Sequence, residues 1–151
     1  MLKKINIAVI GATGYTGLDL INLLSKHPKV NIKNLCATKN LGKKITYFDK
    51  RIKKKLPKIT SINDIDWKKL DLVFLSLPNG EAQKIIKRTY YKFDKLKYID
   101  LSADFRIRNS KIYKKNYGLN HKANDLIKNS IYSIAEFTKN KIRDFRIISN
   151  P

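Results

Sequence analysis

The 151-residue sequence is poor in the residues that build covalent or metal frameworks: it has one cysteine, one methionine, one tryptophan and two histidines. A single thiol, Cys36, excludes an internal disulfide framework and a multi-cysteine zinc site, and His27 and His121 alone leave too few ligands for another metal. No metal is expected. The sequence does not open with a charged-then-apolar leader, and no apolar run approaches about 18 residues, so neither a signal peptide nor a membrane span is indicated and a cytoplasmic location is expected. There is no internal repeat and no low-complexity linker, and a 42% hydrophobic content suits one globular domain with its own core.

Acidic residues are scarce as well, 12 against 33 lysines and arginines, for a net charge of +21. Such a balance raises the case for a polyanionic partner. Here the excess is mostly lysine, spread from Lys3 to Lys141 among abundant Ile, Asn, Tyr and Phe, which favours solvated surface lysine over a nucleic-acid footprint. Neither a nucleic acid nor a membrane is expected as partner. The densest stretch is "KRIKKKLPK", Lys50 to Lys58.

What is present is an alternation of buried-strand and helix patterns. Ile5 to Ile10 reads as a strand covered on both faces, and Tyr15 to Lys26 as a helix with Gly17, Leu20, Ile21 and Leu24 inward, stopped by Pro28. A second strand is expected near Ile32 to Ala37. Thr38 to Lys69 reads as loop with short elements, including a possible strand at Ile59 to Ile62 and a helix that packs Trp67. Further strands are expected at Leu70 to Pro78, Lys97 to Ser102, Ile131 to Ser133 and Phe145 to Ser149. Helices are expected after Gly80, with Ala82, Ile85, Ile86 and Thr89 on one face, and at Ala123 to Lys128. The pattern implies an α/β fold: a doubly wound, mainly parallel Rossmann-type sheet with helices on both faces.

Glycine is rare, six in all, yet three stand in "GATGYTG", where the first strand hands over to the first helix. A dinucleotide pyrophosphate needs backbone N–H groups and the positive end of a helix brought close, which a side chain would block. Gly11 suits the tight turn, Gly14 the approach of phosphate and Gly17 close helix packing. The simpler alternative is a strand-to-helix turn with no ligand. After the second strand no Asp or Glu occurs until Asp49, whereas Thr38, Lys39 and Lys43 do occur, which favours the 2′-phosphate of NADP over the bare ribose of NAD. Ser102, Asp104 and Arg106 gather a hydroxyl, a carboxyl and a guanidinium after a strand. Arg106 is the candidate for an anionic substrate group, the alternative being an Asp104 ion pair to Arg106 or Arg108 that pins the loop.

Taken together, "IGATGYTGLDLINLLSKHP", "VFLSLPNGEA", "IDLSADFRI", "YKKNYGLNH" and "IYSIAEFTKNKI...ISNP" resemble, in order, the amino-terminal part of the N-acetyl-gamma-glutamyl-phosphate reductase family, within the semialdehyde dehydrogenase group. "DLSADFR" is the most specific piece. The resemblance implies an NADP-dependent, phosphorylating-type aldehyde dehydrogenase of arginine biosynthesis, reducing N-acetyl-gamma-glutamyl phosphate to the semialdehyde, in a parent protein that is a homo-oligomer. It implies cofactor contacts at Gly11, Thr13, Gly14, Tyr15, Thr16, Gly17, Thr38 and Lys39, with Pro78, Asn79 and Gly80 beside the nicotinamide ribose, the alternative for these three being an ordinary turn that caps the next helix. It implies substrate contacts at Ser102, Asp104 and Arg106. Tyr113, Tyr117 and Gly118 would pack beneath the site, and Glu136 would lie near the active cysteine or cap a helix.

The family's nucleophilic cysteine follows the motif begun by Ser149, Asn150 and Pro151, two residues after Pro151, and its histidine base belongs to a catalytic and dimerisation domain expected after 151. Residues 1–151 are therefore expected to be an NADP-binding Rossmann-type domain, a fragment without turnover, with Cys36 as buried packing. Departures from the family pattern occur at Asn79, Ser133 and Ala135, where histidine, glycine and proline are common. The alternatives are a reductase of aminoadipyl or aspartyl phosphate, or a non-catalytic basic domain that binds nucleotides or nucleic acid.

Overall fold

The structure is a computed structural model that describes residues 4–151, so Lys3 lies outside the described residues. The chain divides into two compact units, one ending at Ser76 and the other spanning Leu77–Pro151.

In the first unit, β1 (Ile5–Ile10) leads through the glycine turn into α1 (Tyr15–Lys26), followed by β2 (Val30–Cys36), β3 (Ile59–Thr60) and β4 (Leu72–Leu75). The strand order is β3-β2-β1-β4 and each of these pairings is parallel. β1 is central, which explains its unbroken apolar run: Ile7, Ala8 and Val9 are fully buried. Its register against β2 slips between Ile7, opposite Ile32, and Ala8, opposite Asn34, so Lys33 is left out of the pairing and turns outward. On α1 the buried line is Gly17, Ile21 and Ser25. Leu20 and Leu24 are only half-buried, and Ser25 satisfies its hydroxyl on the Asn22 carbonyl at 2.8 Å.

The strand-to-helix turn depends on two glycines. Gly11 has φ of 88°, and its N–H and that of Ala12 both donate to the Cys36 carbonyl, at 2.9 and 3.0 Å. A Cβ on Gly17 would lie 2.2 Å from the Gly11 carbonyl oxygen. The Gly11 carbonyl carbon at 3.1 Å and the Ala12 Cα at 3.2 Å crowd it too, and all three atoms are backbone, so α1 can approach β1 this closely only with glycine at 17.

The region 38–69 is loop with 3₁₀ turns at Ile45–Tyr47, Ile62–Asp64 and Trp67–Lys69. Two expectations are corrected here. The strand near Ile59 to Ile62 stops at Thr60 because Ser61 caps the next turn, accepting from the Asn63 N–H at 3.2 Å. The Trp67 helix is a single 3₁₀ turn with Trp67 half-buried.

The second unit contains α2 (Glu81–Thr89), β5 (Lys97–Asp100), α3 (Ser110–Tyr117), β6 (Ser130–Tyr132), α4 (Ala135–Thr138) and β7 (Ile147–Ser149). The strand order is β5-β7-β6, again parallel. Arg146 closes the carboxyl end of α2: its guanidinium donates to the carbonyls of Tyr90 at 2.9 Å, Phe93 at 2.6 Å and Leu96 at 3.1 Å, and stacks 3.9 Å from the Tyr90 ring.

Three sequence expectations differ here. The buried face of α2 is Ala82, Gln83, Ile86 and Thr89, with Gln83 fully buried and Ile85 half-exposed. The stretch expected as a helix at 123–128 is a 3₁₀ segment, Asn124–Asn129. The stretch between Ser102 and Ala123 reads from the sequence as polar connection, yet it holds α3, which buries one side chain, Tyr113. Its ends make it a helix: the Asn109 carboxamide accepts from the Lys111 and Ile112 N–H groups, and Gly118 closes it with φ of 70°.

Gly17→Ala is expected to destabilise the fold by about 3 kcal/mol, the range of overpacking against backbone. Gly14→Ala should cost under about 1 kcal/mol, because a Cβ there meets the Gly11 carbonyl at an ordinary 3.5 Å. Urea denaturation of both variants checks the contrast.

Candidate functional site

In the first unit, α1 begins with Gly14 at its N-cap, no side chain caps it and no acid stands in its first turn. The first-turn N–H groups at 15–17 have no intrahelical acceptor by geometry, and the macrodipole adds positive potential there. Gly14 and Thr16 are exposed, Tyr15 is 94% exposed, and Thr13 is half-buried. Gly14 differs from its neighbours: its φ of −75° is ordinary for any residue, and the space beside it would take a Cβ. The fold requires glycine at 11 and 17 but not at 14. An open face on the backbone at an uncapped helix start is a shape that fits a phosphate.

Thr38 and Lys39 stand exposed on the loop after β2, near the same turn, because β2 ends at the residue whose carbonyl binds Gly11 and Ala12. The first acid beyond them, Asp49, is occupied. Arg51 donates to both of its carboxyl oxygens, at 3.0, 3.0 and 2.7 Å, and holds it below the usual carboxylate range. The same guanidinium pairs with Asp19 on α1.

In the second unit the sequence-predicted residues belong to one buried network. Asp104 is fully buried. Its Oδ1 accepts from the Gly80 N–H and the Tyr113 hydroxyl, both at 2.7 Å, and its Oδ2 accepts from the Gln83 N–H at 3.1 Å. It thus caps the N-terminus of α2 from outside the helix and fixes the turn at Pro78, Asn79 and Gly80; the Asn79 Oδ1 accepts from the Ala103 N–H at 3.1 Å. Neither Arg106 nor Arg108 pairs with Asp104. Burial and the neighbouring Asp104 push the Tyr113 phenol up, keeping it a donor.

His121, read from sequence as a surface or structural histidine, is part of this network. Its Nε2 meets the Asp104 carbonyl oxygen at 2.7 Å, and its Nδ1 accepts from the Ala123 N–H at 3.2 Å, which sets the neutral Nε2–H tautomer. Burial lowers its pKa in the same direction. Both ring nitrogens are engaged, so His121 positions the loop. Gln83 completes the set, donating to the Tyr113 hydroxyl at 3.2 Å and accepting from the Lys122 N–H. Sequence reasoning missed Gln83; the available signal was a polar residue on an otherwise apolar helix face.

A second cluster sits at the carboxyl ends of β5 and β7. The Asp100 Oδ1 accepts from the Ser102 hydroxyl at 2.6 Å and N–H at 2.9 Å, and its Oδ2 from the Phe105 N–H at 3.3 Å. Ser102 Oγ in turn accepts from the Asp104 N–H at 3.2 Å, so this side chain too is committed to the loop. The Asn150 N–H donates to the Asp100 carbonyl at 2.8 Å, and its carboxamide donates to the Ser133 carbonyl at 2.9 Å. Arg106 Nη2 donates to the carbonyls of Leu101 at 3.2 Å and Asn150 at 3.4 Å, while its Nε is buried with no partner. Of Ser102, Asp104 and Arg106, the arginine is the one with donors to spare. Tyr113 is buried and Glu136 is exposed in the first turn of α4. Cys36 is 1% exposed and burial pushes its thiol up to about 11. Among the described residues no group of His, Cys, Asp and Glu side chains could hold a metal, and no helix is long and apolar enough to cross a membrane.

The parallel strands and the glycine turn are those of a Rossmann-type α/β domain, and residues 6–145 match the family described as "Semialdehyde dehydrogenase, NAD binding domain". The chain belongs to this family. Within it, the chain is 42% identical over 153 residues to an N-acetyl-gamma-glutamyl-phosphate reductase of Ehrlichia canis, covering 100% of this chain and 43% of that protein. It is 38% identical over 150 residues to a probable chloroplastic N-acetyl-gamma-glutamyl-phosphate reductase of Oryza sativa, covering 99% and 35%. The chain thus spans about two fifths of the length of such relatives. Among solved structures it is similar to aspartate semialdehyde dehydrogenase II of Vibrio cholerae, with a TM-score of 0.66 at 18% identity over 99% of this chain and 42% of that one. That likeness shows the Rossmann-type fold expected from the sequence.

Burial of Asp100, with the charge of Asp104 adding to it, raises its carboxyl to about 6 against three hydrogen bonds that lower it. A carboxyl raised on folding stabilises most when protonated, so its contribution is complete below about pH 4 and is lost as pH rises through about 6, on the order of 3 kcal/mol. Urea denaturation across this window is expected to show that loss in the wild type. In Asp100→Asn, which keeps an acceptor for Ser102, the profile should be flatter.

Proposed function

We propose that this chain is the NADP(H)-binding part of an N-acetyl-gamma-glutamyl-phosphate reductase, acting in arginine biosynthesis on a small acyl-phosphate substrate, within a homo-oligomeric parent whose catalytic and dimerisation domain lies outside residues 1–151. The observation that carries this reading is Gly14. Its fold would accept a side chain, so the bare backbone serves a ligand that must come close, and the helix start presents N–H groups without any competing cap.

In this assignment Gly11, Gly14 and Gly17 shape the turn, and the amides of Thr13, Tyr15, Thr16 and Gly17 meet the pyrophosphate. Thr38 and Lys39 meet the 2′-phosphate, and NADP is supported over NAD because the first acid after β2, Asp49, is occupied by Arg51. Pro78, Asn79 and Gly80 take the nicotinamide end. Bound NADPH supplies the hydride that reduces the acyl group. Arg106, with its unpartnered Nε, holds the substrate phosphate, and Ser102 and Asp104 keep the arginine loop in place. The names of the relatives favour the N-acetylglutamyl substrate over aspartyl or aminoadipyl phosphate. A single buried, unpaired cysteine suits a reducing compartment, and the cytoplasm is the proposed location.

The chain by itself is assigned no turnover. Acyl transfer needs an activated thiolate, and Cys36 is the reverse: enclosed, and with a thiol raised to about 11. Fluorescence titration of the 151-residue chain is expected to show saturable NADPH binding, weaker NADH binding, and at least a tenfold loss of NADPH affinity in Gly14→Ala with stability retained. Equal binding by Gly14→Ala and wild type would refute the assignment of the turn. In parallel, Cys36 is expected to resist an aromatic disulfide reagent at pH 8 in the folded chain and to react at once in urea. Rapid modification of the folded chain would reopen Cys36 as a nucleophile.

A further inference from the structure

The cofactor reading leaves one feature of the first unit unused: residues 43–58 carry eight basic side chains and a single acid, Asp49. Their arrangement is specific. Ile45 and Ile52, with Ile59 just beyond, are 2%, 1% and 0% exposed and fasten the segment to the core, while Tyr47 faces solvent. Lys50, Lys53, Lys54, Lys55 and Lys58 all face solvent. Asp49 and Asp19, the acids that touch the segment, are both paired with Arg51, and the three together leave a single negative charge against the five exposed lysines.

The segment is also tied beside the glycine turn. Arg51 reaches Asp19, which lies about 7 Å along the α1 axis from Gly14 at 1.5 Å per residue. The Gly42 N–H donates to the Ile59 carbonyl at 2.8 Å, and the Ile59 N–H donates to the Lys43 carbonyl at 3.0 Å. The Ala37 N–H donates to the Thr60 carbonyl at 3.2 Å, one residue beyond the Cys36 carbonyl that holds Gly11 and Ala12. The segment is therefore held on the same unit as the uncapped start of α1, joined to α1 at Asp19 and to the loop after β2 at Ala37, Gly42 and Lys43, so its lysines act on an approaching anion through solvent, most strongly at low salt.

We infer that the Lys50–Lys58 segment is an electrostatic collector for the anionic dinucleotide, raising its rate of capture without contacting it in the bound state; this rests on the cofactor reading above. NADPH brings roughly four negative charges, about two of them on the 2′-phosphate that NADH lacks. Aligned charge around a site raises association rates by about 10- to 1000-fold at low salt and loses that effect as salt rises. The collector therefore favours NADPH over NADH in on-rate, in addition to any preference set by contacts. A membrane is a poorer fit for the same lysines, because the segment's isoleucines are buried and none is free to enter lipid.

The test is stopped-flow binding of NADPH and NADH to the 151-residue chain between about 20 and 500 mM salt. The charge-reversed Lys53→Glu/Lys54→Glu/Lys55→Glu variant is compared with Lys4→Glu/Lys29→Glu/Lys33→Glu, which makes the same change in charge on the amino-terminal side of β1 and β2. Lys53→Gln/Lys54→Gln/Lys55→Gln provides a milder version should the first triple fold poorly. For NADPH at low salt, the loop triple is expected to lower the on-rate at least tenfold with the off-rate within twofold of wild type. The difference should shrink for NADH and vanish at high salt, and the control triple should move the on-rate less than threefold. Equal effects of the two triples, or an unchanged on-rate in the loop variants, would overturn the collector while leaving the cofactor reading standing. No saturable NADPH binding by the wild-type chain would overturn the cofactor reading, and the collector with it.

Discussion

The Gly11 carbonyl oxygen occupies the place where any side chain on Gly17 would have to be, and the first unit is organised around that contact. Because no side chain separates them, α1 packs directly on the end of β1. The Gly11 and Ala12 amides then reach the end of β2, at the Cys36 carbonyl, and the helix start is left without a side-chain cap. A closer approach of helix to strand thus also opens the helix terminus. The same geometry explains why the three glycines are unequal: two satisfy the fold, and the middle one is free for a ligand.

The second unit solves the corresponding problem in the opposite way. There the helix start, at Gly80, is closed by the buried carboxyl of Asp104, which Tyr113 also bonds, while His121 fixes the backbone of the same residue through its carbonyl. Burying a carboxyl is costly unless its oxygens are bonded, and here both are. What this arrangement secures is a rigid loop from Asp100 to Arg106, so that one guanidinium with an unpartnered Nε is presented at the carboxyl ends of β5 and β7. An anion meeting that group would supply a missing acceptor. The two helix termini therefore differ in kind, one left open and one shut.

Charge follows a similar division between the solvent-facing surface and the internal framework. Most of the +21 excess is exposed lysine, as the composition implied. Two arginines behave differently: Arg51 joins Asp49 to Asp19, and Arg146 gathers three carbonyls at the end of α2. A planar fork of donors can serve several acceptors at once, where a lysine offers a point charge.

Strong periodicity and glycine spacing carried the fold class, β1 and α1 residue for residue, and the glycine turn between them, because these depend on contacts within about 30 neighbouring residues. The short elements did not follow from local pattern: α3 is defined by its two ends rather than by an apolar stripe, and Gln83 is buried because Tyr113 and the Lys122 amide happen to face it. The roles of Asp104 and Ser102 likewise could not be read from "LSADFR", since a carboxyl and a hydroxyl beside an arginine look equally suited to substrate or to scaffold. The sequence by itself determined the parallel α/β class and the placement of the glycines, through steric limits on single residues and the periodicity of burial. The tertiary structure alone decided which polar groups are spent within the protein and which remain open to a ligand, because hydrogen-bond partners distant in sequence are assigned only when the chain has closed around them.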